Sequence, residues 1–106
     1  MTRDEINELI IGEMGLEDEG IVLFDGMDEA FMGIAERFEP VMFFDEDGLE
    51  RERGGTHRYF AVYSYERMVG ILTADGDLTD EDAREYLEFN TVGLYAGPNT
   101  PAIMRD

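Results

Sequence analysis

The sequence predicts a single α+β domain spanning residues 1–106. In it, a small, mainly antiparallel sheet of three to four strands packs against three to four short helices. Stretches with apolar residues at helical spacing follow residues that can cap a helix, namely Thr2, Ser64 and Thr79. Short apolar runs that favour strands lie at 41–44 and 59–63. The length of 106 residues fits one domain.

The first predicted element is a helix over residues 2–14. Thr2 and Glu5 have the spacing of a capping box, in which each side chain bonds a backbone N–H at the start of the helix. Gly15 is placed to end the helix in the left-handed conformation. Residues 21–24 are an apolar run before Asp-Gly, which predicts a short strand ending in a turn.

A second helix is predicted over residues 28–38. Its apolar residues fall at helical spacing, and Pro40 would prevent the helix from continuing. The apolar face of this predicted helix consists of Ala30, Phe31, Ile34, Ala35 and Phe38.

Residues 45–58 join the strands predicted at 41–44 and 59–63. A connection of this length that contains several glycines predicts a mobile loop. The loop also holds Arg51, Arg53, His57 and Arg58, so it is the one place where the sequence predicts a cation-bearing patch.

The remaining elements are two helices and a strand. Ser64 can cap a third helix, whose apolar residues include Tyr65 and Met68. Thr79 can cap a fourth helix that runs to Asn90, with acidic residues in its first turn favouring the positive end of the helix. Residues 101–104 predict a final edge strand.

The chain carries 26 acidic residues and 8 basic ones, a formal net charge of -18, and all its cations except the single histidine are arginines. Phosphates would be repelled, which argues against nucleic acid and against an anionic membrane surface as partners. Three interpretations remain: an acidic surface presented to a basic protein, adaptation to high salt, or a cation-binding site.

The C-terminal half carries a distinctive run. Residues 85–93 read Glu-Tyr-Leu-Glu-Phe-Asn-Thr-Val-Gly, and Gly97 and Thr100-Pro101 follow. Together with residues 25–38 and 63–72, this pattern resembles a family of small uncharacterised proteins that are frequent in bacteriophage, prophage and archaeal virus genomes. The resemblance implies a viral origin and a shared fold, and it implies no activity.

No catalytic or metal-binding constellation emerges from the sequence. Asp75, Asp77 and Thr79 have spacing suggestive of calcium ligands, but Asp80 and Tyr86 stand where an EF-hand loop needs glycine and glutamate. The chain has no cysteine and a single histidine, His57. We therefore expect no enzymatic activity, no catalytic residues, no metal and no cofactor.

The charge and the resemblance together predict a non-enzymatic, virus-associated protein in the cytosol of the host cell. We expect it to bind a host protein with a basic surface, acting as a DNA mimic against a nucleic-acid-handling defence system. A homodimer is also compatible with the sequence. The alternative is a salt-adapted protein with a small-ligand or structural role. The predicted partner-binding residues are Asp75, Asp77, Asp80, Glu81, Asp82 and Glu85.

Overall fold

The computed structural model describes the backbone of residues 1–44 and 50–106, and the side chains outside 41–54. Within this part of the chain, three strands form one sheet in the order β1-β2-β3. β1 spans Phe31–Phe44, β2 spans Glu50–Ser64 and β3 spans Ala102–Met104. β1 and β2 are antiparallel, whereas β3 lies parallel to the end of β2. The predicted α+β class is confirmed, and so is the final edge strand.

Three α-helices accompany the sheet in the described residues: α1 at Arg3–Asn7, α2 at Tyr65–Thr73 and α3 at Asp80–Leu87. α1 and α3 each continue with wider, π-type hydrogen bonding, over Glu8–Glu13 and Glu88–Val92. The predicted caps are confirmed because Thr2, Ser64 and Thr79 each accept a backbone N–H with the side-chain oxygen. The reciprocal bond from Thr2 to Glu5 completes the capping box.

The helix predicted over 28–38 is wrong. Asp28–Ala30 form a single 3-10 turn, and residues from Phe31 onward belong to β1. Gly33 has φ +151°, which no helix accommodates, and β2 offers partners along almost the whole segment. Pro40 fits because β1 is an edge strand and the ladder shifts register between Pro40 and Met42. Non-local pairing therefore overrides the helical spacing of the apolar residues.

Two further predictions need correction. Residues 21–24 form no strand; the N–H of Phe24 donates to the hydroxyl of Tyr63 at 3.0 Å instead of joining a ladder. The loop predicted over 45–58 is wrong for residues 50–58, which belong to β2. Residues 45–49, which link the two strands of the hairpin in sequence, lie outside the described part of the chain. The hairpin strands of 14 and 15 residues reach roughly 45–50 Å along the chain.

The core lies between the helices and one face of the sheet. Ala61 and Tyr63 alternate with outward-facing residues of β2, and both are fully buried. The ring of Tyr63 packs against Phe24 and Phe31 at centroid distances of 4.9 and 5.9 Å. Burial raises the pKa of the Tyr63 hydroxyl. The helices contribute Ile6, Met68, Val69, Ala83 and Leu87 to the same core.

Candidate functional site

The first turn of α3 is a cluster of carboxylates built around its cap. The Thr79 hydroxyl accepts the N–H of Asp82 at 3.1 Å, so the helix begins at Asp80. Asp80, Glu81 and Asp82 are exposed and stand at the positive end of the helix dipole. The first turn of α3 therefore presents three carboxylates to solvent.

The turn before α3 extends this cluster. The Asp75 carboxylate accepts the N–H of Asp77 at 3.0 Å, and Gly76 takes φ +81° between them. Asp75, Asp77 and, one turn into α3, Glu85 are exposed. The predicted partner-binding residues therefore share one stretch of turn and helix. We call this set the acidic segment: Asp75, Asp77, Asp80, Glu81, Asp82 and Glu85.

One member of the acidic segment is engaged by a cation. Arg84 pairs with Asp80 at 2.7 Å and with Glu66 of α2 at 2.9 Å. The hydrogen bonds from Arg84 lower the pKa of both carboxyls below their ordinary values. Among the ion pairs of residues 1–40 and 55–106, none includes another member of the acidic segment. Most of its charge is therefore presented to solvent.

The opposite end of the same helix is aromatic. Phe89 is 80% exposed and Tyr95 is 77% exposed, and Tyr86 is about half exposed. Val92 and Leu94 between them are also exposed. We call this set the aromatic patch: Tyr86, Phe89, Val92, Leu94 and Tyr95. Scattered apolar side chains are normal at protein surfaces, but five large exposed ones within residues 86–95 are typical of a contact surface.

The side chains of Tyr86, Phe89 and Tyr95 are exposed and do not belong to the core. Leu87 is fully buried and takes the core position instead. At about 100° per residue, Phe89 lies roughly 200° around the helix from Leu87, which points it away from the core. This angular argument could have found Phe89. The side-chain amide of Asn90, one turn after Tyr86, donates to the carbonyl of Tyr86 at 3.1 Å.

A small cleft of about 120 Å³ adjoins the aromatic patch. It lies between the segment before β1 and the end of α3. Residues from both segments line it, including Phe24, Asp25, Tyr86 and Asn90. The cleft combines residues 24–27 with residues 86–94, which are distant in sequence, so local sequence patterns do not predict it.

The predicted cation-bearing patch is distributed over β2. His57 and Arg58 are neighbours on the strand, so their side chains point to opposite faces of the sheet. His57 contacts Glu36 at 2.7 Å, and Arg58 contacts Glu39 at 3.3 Å. The side chains of Arg51 and Arg53 lie outside the described set.

Two other features are absent from the described residues, a metal-binding group and a membrane-spanning helix. Within that part of the chain, no group of three or more His, Asp or Glu side chains could hold a metal ion. None of the helices there is both long and apolar enough to cross a membrane. No protein-family model, curated protein or solved structure matches the chain. The charges and contacts of the described residues are therefore the basis for proposing a function.

Proposed function

We propose that this protein is a non-enzymatic, virus-encoded binding protein that docks on a basic protein surface in the cytosol of the host cell. One observation carries the proposal: the acidic segment and the aromatic patch follow each other along α3 and its continuation. This combination matches the make-up of a protein-binding surface, which joins charged groups at the rim to aromatic side chains that bury area.

The two parts have different physical roles. Exposed carboxylates attract a basic partner over roughly 8–10 Å at physiological salt, which raises the rate of encounter. Each exposed charge pair adds only about 0.2–1 kcal/mol to affinity, so a large contribution requires several of them together. Exposed aromatic rings act at contact and are frequent among residues that dominate binding energy. Phe89 and Tyr95, each more than three-quarters exposed, are the best placed for that role.

The partner class that fits best is a protein that handles nucleic acid. Its binding groove carries arginine and lysine side chains, which donate to carboxylates in the same way as to phosphates. With a net charge of -18 over 106 residues, this protein would compete with nucleic acid for such a groove. The protein would then act as a DNA mimic and block the host protein, which is consistent with the viral resemblance of residues 85–93.

Affinity capture with competition tests this proposal. The immobilised protein is exposed to host lysate at about 0.1 M NaCl, where attraction between surface charges is only partly screened. We expect a basic, nucleic-acid-handling protein to be retained, and to be released both by duplex DNA and by raising the salt to about 1 M. Retention that duplex DNA does not affect would argue against mimicry.

One observation favours a second candidate, a salt-adapted protein with a small-ligand or structural role. Exposed carboxylates are not confined to the acidic segment, since Asp4, Glu8, Glu17 and Glu29 are also exposed. A surface adapted to molar salt would show this wide distribution, because self-repulsion is tolerated only when it is screened.

Circular dichroism at about 0.1 M and about 2 M NaCl separates the two candidates, because screening differs greatly between these concentrations. A chain that is folded at the lower concentration supports the binding protein. A chain that folds only at the higher concentration supports salt adaptation.

A further inference from the structure

The residues that line the cleft beside the aromatic patch indicate which chemical group can bind there. We propose that it receives a single arginine side chain of the protein partner. This inference rests on the proposed function and deepens it by naming the side chain that anchors the partner.

The size of the cleft restricts its occupant. Its volume of about 120 Å³ is well below the roughly 300–1,000 Å³ of pockets that enclose drug-sized ligands. It is therefore suited to one side chain and not to a cofactor or a helix. Phe24, Met27 and Leu94 supply apolar walls, which suit the methylene stem of a long side chain.

The polar groups of the cleft are mainly acceptors. Asp25 lines it with a carboxylate that is fully exposed. The Asn90 amide nitrogen is engaged by the carbonyl of Tyr86, which leaves the amide oxygen as an acceptor. The Thr91 hydroxyl can also accept. A cationic donor with an apolar stem matches this combination of groups.

Arg3 is the cation that approaches Asp25, but other groups hold its guanidinium. Arg3 is held by Asp28 at 2.9 Å and by the carbonyl of Phe24 at 3.0 Å. Its closest approach to Asp25 is 3.8 Å, a much looser contact. Among the described residues that line the cleft, Asp25 is the charged one and there is no cation. Asp25 at the edge of the cleft is therefore paired only loosely with Arg3, and its fully exposed carboxylate can accept hydrogen bonds from a second cation.

Arginine fits better than lysine for two reasons. A flat guanidinium can stack on the ring of Tyr86, which lines the cleft and is about half exposed. The same group can donate two parallel hydrogen bonds to a carboxylate such as Asp25, which a lysine ammonium cannot.

The test uses the peptide acetyl-Gly-Arg-Gly-amide as the probe and its lysine counterpart for comparison. NMR titration of the ¹⁵N-labelled protein locates the contact. We expect the arginine peptide to shift the amide signals of residues 24–27 and 86–94, with weaker shifts from the lysine peptide. Equal shifts from both peptides at these residues would overturn the assignment to arginine.

Three variants sharpen this result. Tyr86→Leu removes the aromatic face, and we expect the Kd of the arginine peptide to rise about three- to tenfold. Asp25→Asn removes the carboxylate, and we expect a rise of about two- to fivefold. Asp18→Asn is the matched control: it removes one charge from an exposed residue that does not line the cleft, and it should leave the Kd nearly unchanged. Equal effects of Asp25→Asn and Asp18→Asn, or an unchanged Kd in Tyr86→Leu, would overturn the proposal.

The location of the shifts keeps this inference separate from the proposed function. Shifts confined to the acidic segment would overturn the cleft as an arginine site while leaving the capture of a basic partner intact. Failure of partner capture from lysate, with cleft shifts present, would overturn the proposed function alone.

Discussion

The guanidinium of Arg84 donates to both carboxylate oxygens of Glu66, at 2.9 Å each, and this pair ties α3 to α2. The same guanidinium donates to Asp80 at 2.7 Å and lies over the ring of Tyr65 at 5.6 Å from its centroid. The helix that carries the acidic segment is therefore oriented by a cation on its own surface. Two-pronged pairing of this kind fixes direction better than a single contact.

This pair predicts a pH dependence that can be isolated with Arg84→Met. Hydrogen bonds from Arg84 lower the pKa of Glu66 and Asp80 in the folded protein. Their stabilisation is therefore present above the unfolded pKa values and is lost as pH falls toward the folded ones. Wild type should be the more stable form at about pH 6, and the difference should shrink below about pH 4.5.

Chemical denaturation of wild type and Arg84→Met at several pH values measures this difference. Comparing the two proteins matters because protonation of the other carboxylates also relieves self-repulsion, which affects both. A difference in unfolding free energy that stays constant with pH would contradict the role of Arg84.

Leu87 and Phe89 form a matched pair for testing the placement of α3. Leu87 is fully buried, whereas Phe89, two residues later, is 80% exposed. Leu87→Ala should lower the free energy of unfolding by about 2–5 kcal/mol, because it empties a core position. Phe89→Ala should change it by less than about 0.5 kcal/mol, as is usual at the surface. Denaturant titrations of both variants give the values, and a costly Phe89→Ala would mean that the aromatic patch is packed.

The two helix caps should differ in strength. Thr79 is exposed and bonds only the N–H of Asp82, so Thr79→Ala should cost about 1 kcal/mol. Ser64 is fully buried; its hydroxyl accepts the N–H of Arg67 and donates to the Asp106 carboxylate at 2.6 Å. Ser64→Ala should cost more, about 1–3 kcal/mol, because it removes two hydrogen bonds, one of them to a charged group. Thermal melts that rank the two variants in the reverse order would contradict these assignments.

Two glycines predict opposite effects of the same substitution. Gly70 lies within α2, and an added Cβ there would meet nothing within 4 Å. Gly70→Ala should therefore stabilise the protein by about 0.5–1 kcal/mol through helix propensity. At Gly55 an added Cβ would meet the carbonyl oxygen of Glu39 at 2.6 Å. Gly55→Ala should lower the melting temperature, and an increase would mean that β1 and β2 are further apart at this point.

The sequence predicts the helices at Ser64 and Thr79 because their signals are local. A capping hydroxyl, a following apolar face and acidic residues in the first turn all lie within one or two turns of chain. The residues of β1 mislead the same reasoning, since Phe31, Ile34 and Phe38 have helical spacing. Their structure depends on partners in β2 that lie 19 to 32 residues further along the chain, which local patterns do not register.

The candidate site also combines features that local sequence predicts with features that depend on non-local packing. The acidic segment is visible in sequence, because its carboxylates surround a recognisable cap. Two other features depend on which side chains fill the core: the exposure of Tyr95 and the cleft between Phe24 and Tyr86. Leu87 and Tyr63 occupy core positions, whereas Tyr86, Phe89 and Tyr95 stay at the surface. Composition alone does not distinguish the two groups.

The most direct test of the central claim compares two triple variants with equal loss of charge. Glu81→Gln/Asp82→Asn/Glu85→Gln neutralises three of the six carboxylates of the acidic segment, and Glu17→Gln/Asp18→Asn/Glu19→Gln neutralises three carboxylates of an exposed loop. The measurement is the amount of basic host protein captured by each at about 0.1 M NaCl, after melts confirm that both are folded. We predict that the first variant loses most of the captured protein while the second retains it. Equal capture by both variants would contradict the claim that α3 carries the partner-binding surface.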